Sequence, residues 1–169
     1  MSKHRLLLVD DSPQMLKSLL RVFHEDDYNI LTADSAKKAL KCLETENVEL
    51  IISDYSMPEI SGVDLLKLVK VKYPHIIRIM LTGLTEFDVI KEAINKGEIY
   101  RFFNKPVDDF ELRLSVRYAF QQRDLEIENN VLKNKLKIHE TQLEKLERDY
   151  PGITQKVTSP DGSIIIESD

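Results

Sequence analysis

Short unbroken apolar runs alternate, over the first 121 residues, with stretches in which apolar positions recur at helical spacing. Leu6, Leu7, Leu8 and Val9 form the first run, and Ser12-Pro13 behind them reads as a helix N-cap with Pro at the first helical position. The helix this predicts carries Met15, Leu16, Leu19, Leu20 and Phe23 on one face. Tyr28 to Ala33 predicts a second strand, and Ser35 caps a helix with Ala36, Ala39, Leu40 and Leu43. Leu50-Ile51-Ile52-Ser53-Asp54 predicts a third strand, since the run is short, suits burial on both faces and is followed by Pro58 and Gly62. Val63, Leu65, Leu66, Leu68 and Val69 continue as a helix stopping near Pro74, and Ile76 to Leu81 predicts a fourth strand. Thr85 with Asp88 resembles a capping box, opening a helix that carries Val89, Ile90, Ala93 and Ile94 and ends at Gly97. Ile99 to Phe103 predicts a fifth strand, and Asp108 with Glu111 starts a last helix. Five strand–helix units in succession predict an α/β fold: a parallel sheet with helices on both faces.

The pattern changes after Gln121. From Tyr118 to Tyr150 no helix breaker interrupts the sequence, and a heptad places Asn129, Leu136, Leu143 and Tyr150 at a and Leu125, Leu132, His139 and Leu146 at d. Asn at an a position favours a parallel pair in fixed register, which sets Glu128 opposite Lys133 and Lys135 opposite Glu140 of the partner helix. The expectation is a parallel homodimeric coiled coil over 122–150, behind a globular domain at 1–121. Pro151-Gly152 stops the helix, and in the tail at 151–169 the run from Val157 to Ile166 around Pro160-Asp161-Gly162 carries a β-hairpin signal. A lone hairpin is marginal in water, so the expectation divides among pairing across the dimer, strand addition to another protein, and disorder.

Composition narrows the function. With 169 residues, 42% of them hydrophobic, the chain can bury one good-sized core and carry an appendage. A net charge of −5 supplies no basic footprint, so neither direct nucleic-acid binding nor an anionic membrane surface is expected. Leu6-Leu7-Leu8-Val9 is far too short to span a bilayer and Met1-Ser2-Lys3-His4 has no signal-peptide character, so a cytoplasmic protein without membrane insertion is expected. Cys42 is the single cysteine, which rules out an internal disulfide, and its neighbours Ala39, Leu40 and Leu43 assign it to an apolar face.

The predicted topology brings sequence-distant chemistry to one edge. Asp10 and Asp11, Asp54, Thr82 and Lys105 stand at the carboxyl ends of strands one, three, four and five, where open α/β sheets bind ligands. One carboxylate at a strand end is ordinarily a loop residue or a cap. Three together repel one another unless a cation sits among them, and oxygen ligands favour a hard ion such as Mg²⁺. A hydroxyl and an ammonium opposite them suit the oxygens of a phosphoryl group.

The residues Leu-Leu-Leu-Val-Asp-Asp-Ser at 6–12, Ser-Asp-Tyr-Ser-Met-Pro-Glu-Ile-Ser-Gly at 53–62, Met-Leu-Thr-Gly at 80–83 and Phe-Phe-Asn-Lys-Pro at 102–106 give the chain from about Lys3 to Gln121 a clear identity in type: it resembles a receiver domain of bacterial two-component response regulators. The resemblance implies a flavodoxin-like (βα)5 sheet of order 2-1-3-4-5, here with its last helix extended into a coiled coil. It implies that Asp54 is the phosphoacceptor, and that Asp10, Asp11, Asp54 and the backbone carbonyl of Ser56 bind Mg²⁺. Thr82 would hydrogen-bond the phosphoryl group, Lys105 would neutralise it, and the Lys105-Pro106 bond would be cis. Phe102 takes the place of the aromatic switch residue, without the hydroxyl that many family members carry there. Ser56 and Leu84 hold the positions that influence attack by water, and neither orients it, which implies a slowly hydrolysed phosphoryl group.

A histidine kinase or phosphotransfer protein is the implied phosphodonor. No output module is recognisable, so a downstream protein is the implied receiver of the signal. The alternative is a constitutive dimeric coiled-coil scaffold with a non-signalling receiver. A phosphohydrolase with an aspartate nucleophile is disfavoured, because Ser56 stands where such enzymes usually carry a second acid.

Overall fold

The computed structural model describes residues 3–83, 91 and 94–153. The predicted start of the helix at Thr85–Asp88, with Leu84, Val89, Ile90 and Ala93, and the predicted hairpin at 157–166 lie outside them. In chain order the elements are β1 (Arg5–Val9), α1 (Pro13–Val22), β2 (Asn29–Ala33), α2 (Ala36–Thr45), β3 (Leu50–Asp54), α3 (Gly62–Lys72), β4 (Ile77–Thr82), β5 (Arg101–Asn104) and α4 (Asp109–Asp149). The strands form one parallel sheet of order β2-β1-β3-β4-β5, the expected flavodoxin-like arrangement. The chain divides into two units, Met1–Gln121 and Gln122–Asp169.

The local signals act as the sequence predicts at Ser12 and Ser35, and Ser61 adds a cap the sequence reading did not name. Ser12, Ser35 and Ser61 each accept a hydrogen bond from a first-turn backbone N–H, capping α1, α2 and α3. The Asp108 carboxylate does the same for the N–H of Glu111 at 2.8 Å, at the start of α4. Gly97 has φ +67° and follows helical Ile94 and Asn95, as a helix stop requires. The strand bounds shift by one or two residues: β2 begins at Asn29 rather than Tyr28, β4 runs Ile77–Thr82 rather than Ile76–Leu81, and β5 runs Arg101–Asn104 rather than Ile99–Phe103, although the Tyr100 N–H already donates to the Arg78 carbonyl of β4.

Alternation along the strands builds two separate cores. Leu7, Val9, Ile51 and Met80 face one way and pack with Ala36, Ala39 and Leu43 of α2 and Val63, Leu66 and Val69 of α3. Leu6, Leu8, Ile52, Ile79 and Leu81 face the other way and pack with Leu19, Val22 and Phe23 and with Leu112, Val116, Ala119 and Phe120 of α4. Every residue of β3 is buried, as expected of a central parallel strand covered on both faces. Cys42 lies partly buried against the first core.

In the second unit α4 carries only solvent-facing side chains apart from Arg123 and Glu147, which are half-buried. Among the described residues no helix is long and apolar enough to cross a membrane.

Candidate functional site

The order of strands reverses at β1 and β3, so the loops after these two strands diverge and leave a crevice at their carboxyl ends. Asp10 follows β1 and Asp54 ends β3, and both are nearly inaccessible, at 1% and 5% exposure. Asp11, next in sequence to Asp10, is exposed. Asp10 is oriented by its own loop, since one carboxylate oxygen accepts the Ser12 N–H at 2.8 Å. Asp54 is oriented likewise by the Ser56 N–H, 3.1 Å from Oδ2.

The remaining strand ends complete the arrangement. Lys105, one residue beyond β5, reaches back so that its Nζ lies 2.7 Å from Oδ1 of Asp54 and 3.3 Å from Oδ2 of Asp10. Its backbone N–H donates to the carbonyl of Thr82 at 2.7 Å, and the Lys105-Pro106 bond is cis, as the resemblance implied. Thr82 is buried at the end of β4, in register with Asn104, and its hydroxyl donates to the Gly83 carbonyl at 3.0 Å. Phe102, paired in register with Met80, is partly buried against the α2–α3 side of the sheet.

The charges do not balance. Burial pushes the Asp54 carboxyl above the usual range, against the pull of the Lys105 ammonium, and the charge of Asp10 adds to the rise. Burial pulls Lys105 down, but the carboxylates of Asp54 and Asp10 outweigh it and hold the ammonium above its ordinary value. Asp54 is raised chiefly by burial and Lys105 by the two carboxylates that share it, so the site favours additional positive charge. Among the described residues, Asp10, Asp11 and Asp54 bring one ligand atom each within 4.8 Å of one another. An all-oxygen donor set with excess negative charge fits a hard divalent cation.

Two contributors carry no chemical signature of their own. A Cβ on Gly62 would lie 1.9 Å from the Asp54 carbonyl oxygen, so the start of α3 packs directly on the backbone of Asp54. The only sequence signal is a Gly eight residues after the acid. Glu59 has φ +66°, and its carboxylate meets the Lys37 ammonium of α2 at 2.6 Å across a cleft of about 140 Å³ that Asp11 also lines. Neither the strain nor the pair is visible in the sequence.

Comparison with known proteins agrees with this geometry. The family model described as the response regulator receiver domain matches residues 6–117. The chain is 33% identical over 121 residues to the hydrogenase transcriptional regulatory protein HoxA of Cupriavidus necator, covering 72% of this chain and 25% of that protein. It therefore spans about a quarter of the length of the first curated relatives it matches. It is 31% identical to the sporulation initiation phosphotransferase F of Bacillus subtilis, over 69% of this chain and 94% of that one. Among solved structures, the signal receiver domain of an HD domain-containing protein from Pseudomonas fluorescens Pf-5 superposes with a TM-score of 0.69 at 36% identity, covering 73% of this chain and 98% of that one.

Proposed function

The chain belongs to the response regulator receiver domain family, and from that premise we propose that it is an aspartate-phosphorylated signalling switch acting through protein contacts. The observation that carries this reading is the Lys105 ammonium placed between Asp54 and Asp10. In the proposed reaction a carboxylate oxygen of Asp54 attacks the phosphorus of a phosphohistidine on a histidine kinase or phosphotransfer protein. The P–N bond breaks, the imidazole leaves and takes up a proton, and an acyl phosphate remains on Asp54.

A carboxylate is a weak nucleophile, so alignment and charge neutralisation supply the catalysis. The Ser56 N–H holds one oxygen of Asp54, and Lys105 is in place to receive charge from the incoming phosphoryl group. Asp10, Asp11, Asp54 and the Ser56 carbonyl would hold a Mg²⁺ ion, which when bound would neutralise the phosphoryl oxygens. The new group carries about −1.5 to −2 charge and three acceptor oxygens. Thr82 would turn its hydroxyl from the Gly83 carbonyl toward them, and Phe102 would follow inward.

In this reading residues 1–121 are the receiver, 122–150 a parallel homodimeric coiled coil and 151–169 a short tail. Support for the dimer comes from the exposure of the seam, with Leu125 at 65% and Leu136 at 61%. Further support comes from the opposite charges at Glu128 and Lys133, and at Lys135 and Glu140.

The test is incubation of the full chain with acetyl phosphate, with and without Mg²⁺, followed by intact-mass analysis. One added phosphoryl group is expected, dependent on Mg²⁺ and absent from Asp54→Asn. A chain that accepts none, or an Asp54→Asn variant that still accepts one, overturns the reading.

A further inference from the structure

The loop between β3 and α3 carries a strained turn at its crest. Glu59 has φ +66°, and the Ile60 N–H donates to the Pro58 carbonyl at 2.8 Å, closing a three-residue γ-turn around Glu59. A γ-turn with positive φ at its centre is the rare, strained form. A residue with a Cβ persists there only where its surroundings hold it, and such outliers concentrate at functional sites.

Most of this loop is anchored by its own backbone and core contacts. The Tyr55 N–H donates to the Leu81 carbonyl and the Gly62 N–H to the Tyr55 carbonyl, both at 2.8 Å, so the two ends are tied. Met57 is buried, and Ile60 packs against the same core. Ser56, Pro58 and Glu59 stay exposed. Of these, Ser56 faces the chemistry: its N–H orients Asp54, and its carbonyl is the proposed Mg²⁺ ligand.

Glu59 is held from another element. Its carboxylate meets the Lys37 ammonium of α2 at 2.6 Å, across the cleft that Asp11 lines. Lys37 and Lys38 are adjacent and identical in type, yet Lys38 pairs locally with Asp34, four residues back, whereas Lys37 reaches the next loop. The hydrogen bond to Glu59 raises the Lys37 ammonium above its ordinary value, as an engaged pair requires. Lys37 also has a fixed support, since Ser35 caps α2 and Ala36 is buried beneath it.

Building on the reading of Asp54 and Ser56 given above, we propose that Lys37 is a positioning residue: through Glu59 it fixes the γ-turn, and through the turn it holds the Ser56 carbonyl ready for Mg²⁺. Both side chains of the pair are exposed, so the effect falls on the loop and not on the stability of the fold. Position and charge have opposite consequences at Lys37. Acting through its field alone, an ammonium lost beside Asp11 would strengthen Mg²⁺ binding, and a carboxylate lost at Glu59 would weaken it. Acting as a pair that holds the loop, either loss weakens it.

The test is calorimetric titration of Mg²⁺ into the full chain, as wild type, Lys37→Met, Glu59→Gln and the double variant, with urea midpoints measured alongside. Each single variant is expected to bind Mg²⁺ about two- to fivefold more weakly, the range an exposed ion pair can supply. The double variant is expected to be no weaker than either single one, with all urea midpoints at the wild-type value. Tighter binding by Lys37→Met assigns the lysine a field effect and overturns the proposal. Losses that multiply in the double variant, or that accompany a lowered urea midpoint, overturn it as well. Unchanged affinity in the variants overturns this inference alone, whereas a wild type that binds no Mg²⁺ overturns the reading of the site and this inference with it.

Discussion

The two halves of α4 use the same kinds of residue for different ends. Up to Gln121 its apolar residues Leu112, Val116, Ala119 and Phe120 are at most 2% exposed, packed with strand residues of the receiver. Beyond Gln122, Leu125, Leu132, Leu136 and Leu143 are all more than half exposed. In the first unit apolar area is buried by the chain itself, so its contribution to stability does not depend on concentration. In the second it is exposed, and any stability gained through self-association would be governed by mass action. Helix propensity does not separate the halves; what separates them is whether the chain supplies the opposing surface.

The sharpest way to break this contrast is a pair of truncations. Phe120→Ala is expected to cost about 3 to 5 kcal/mol of receiver stability, the range for a large core side chain. Leu132→Ala is expected to leave the receiver's urea midpoint unmoved and to weaken self-association. Urea unfolding and sedimentation velocity on both variants decide it, and equal losses of folding stability would erase the distinction between the halves.

Gly62→Ala probes the first unit at its site. The added methyl meets the Asp54 carbonyl at 1.9 Å and the backbone must shift. A loss of about 1 to 3 kcal/mol is expected, as for overpacking in a tight core. A slower uptake of phosphate from acetyl phosphate should accompany it, with dimerisation unchanged.

The charge imbalance gives a pH signature confined to the receiver. The folded value of Asp54 lies above its ordinary 3.8, so the ionised carboxyl opposes folding at neutral pH. Stability without Mg²⁺ should therefore rise as pH falls through the folded value toward 3.8. Added Mg²⁺ should raise the melting temperature most near neutrality and less in acid. Calorimetry across this window tests it, and a Mg²⁺ effect that grows on acidification would contradict the assignment of the site.

The smallest expected effect is at Glu59. A left-handed conformation costs a residue with a Cβ about 1 to 2 kcal/mol, and Asn visits it more readily. The Glu59–Lys37 pair is exposed on both sides and screened by water, so its loss costs little. Glu59→Asn should therefore raise stability by under about 1 kcal/mol, read as a small increase in the urea midpoint.

Much of the receiver could be read from the chain because its signals are local. Apolar runs in Leu6–Val9 and Leu50–Asp54 need no tertiary knowledge, and Ser12 and Ser35 announce their helices by capping chemistry. The convergence of Asp10, Asp54 and Lys105 followed from topology alone. What escaped the reading depends on distances between elements. Asp10 and Asp11 are identical in residue type and adjacent in the chain, yet only the first is buried, because the end of β1 turns one inward and the other out. The Gly62 contact and the Glu59–Lys37 pair arise where separate loops meet, and no spacing rule encodes them. The late start of β5 reflects the same limit: Ile99 is buried and reads as strand, but the register with β4 starts only at Arg101.

The sheet also acts as a partition. Ile51 and Ile52 are neighbours in sequence, yet one belongs wholly to the α2–α3 side and the other to the α1–α4 side. A volume change on one side cannot be relieved by a substitution on the other. Over evolutionary time the two cores of such a domain should drift independently, with compensating changes paired within a face. Only the carboxyl-end rim, where both faces terminate at Asp10, Asp54 and Lys105, ties their histories together.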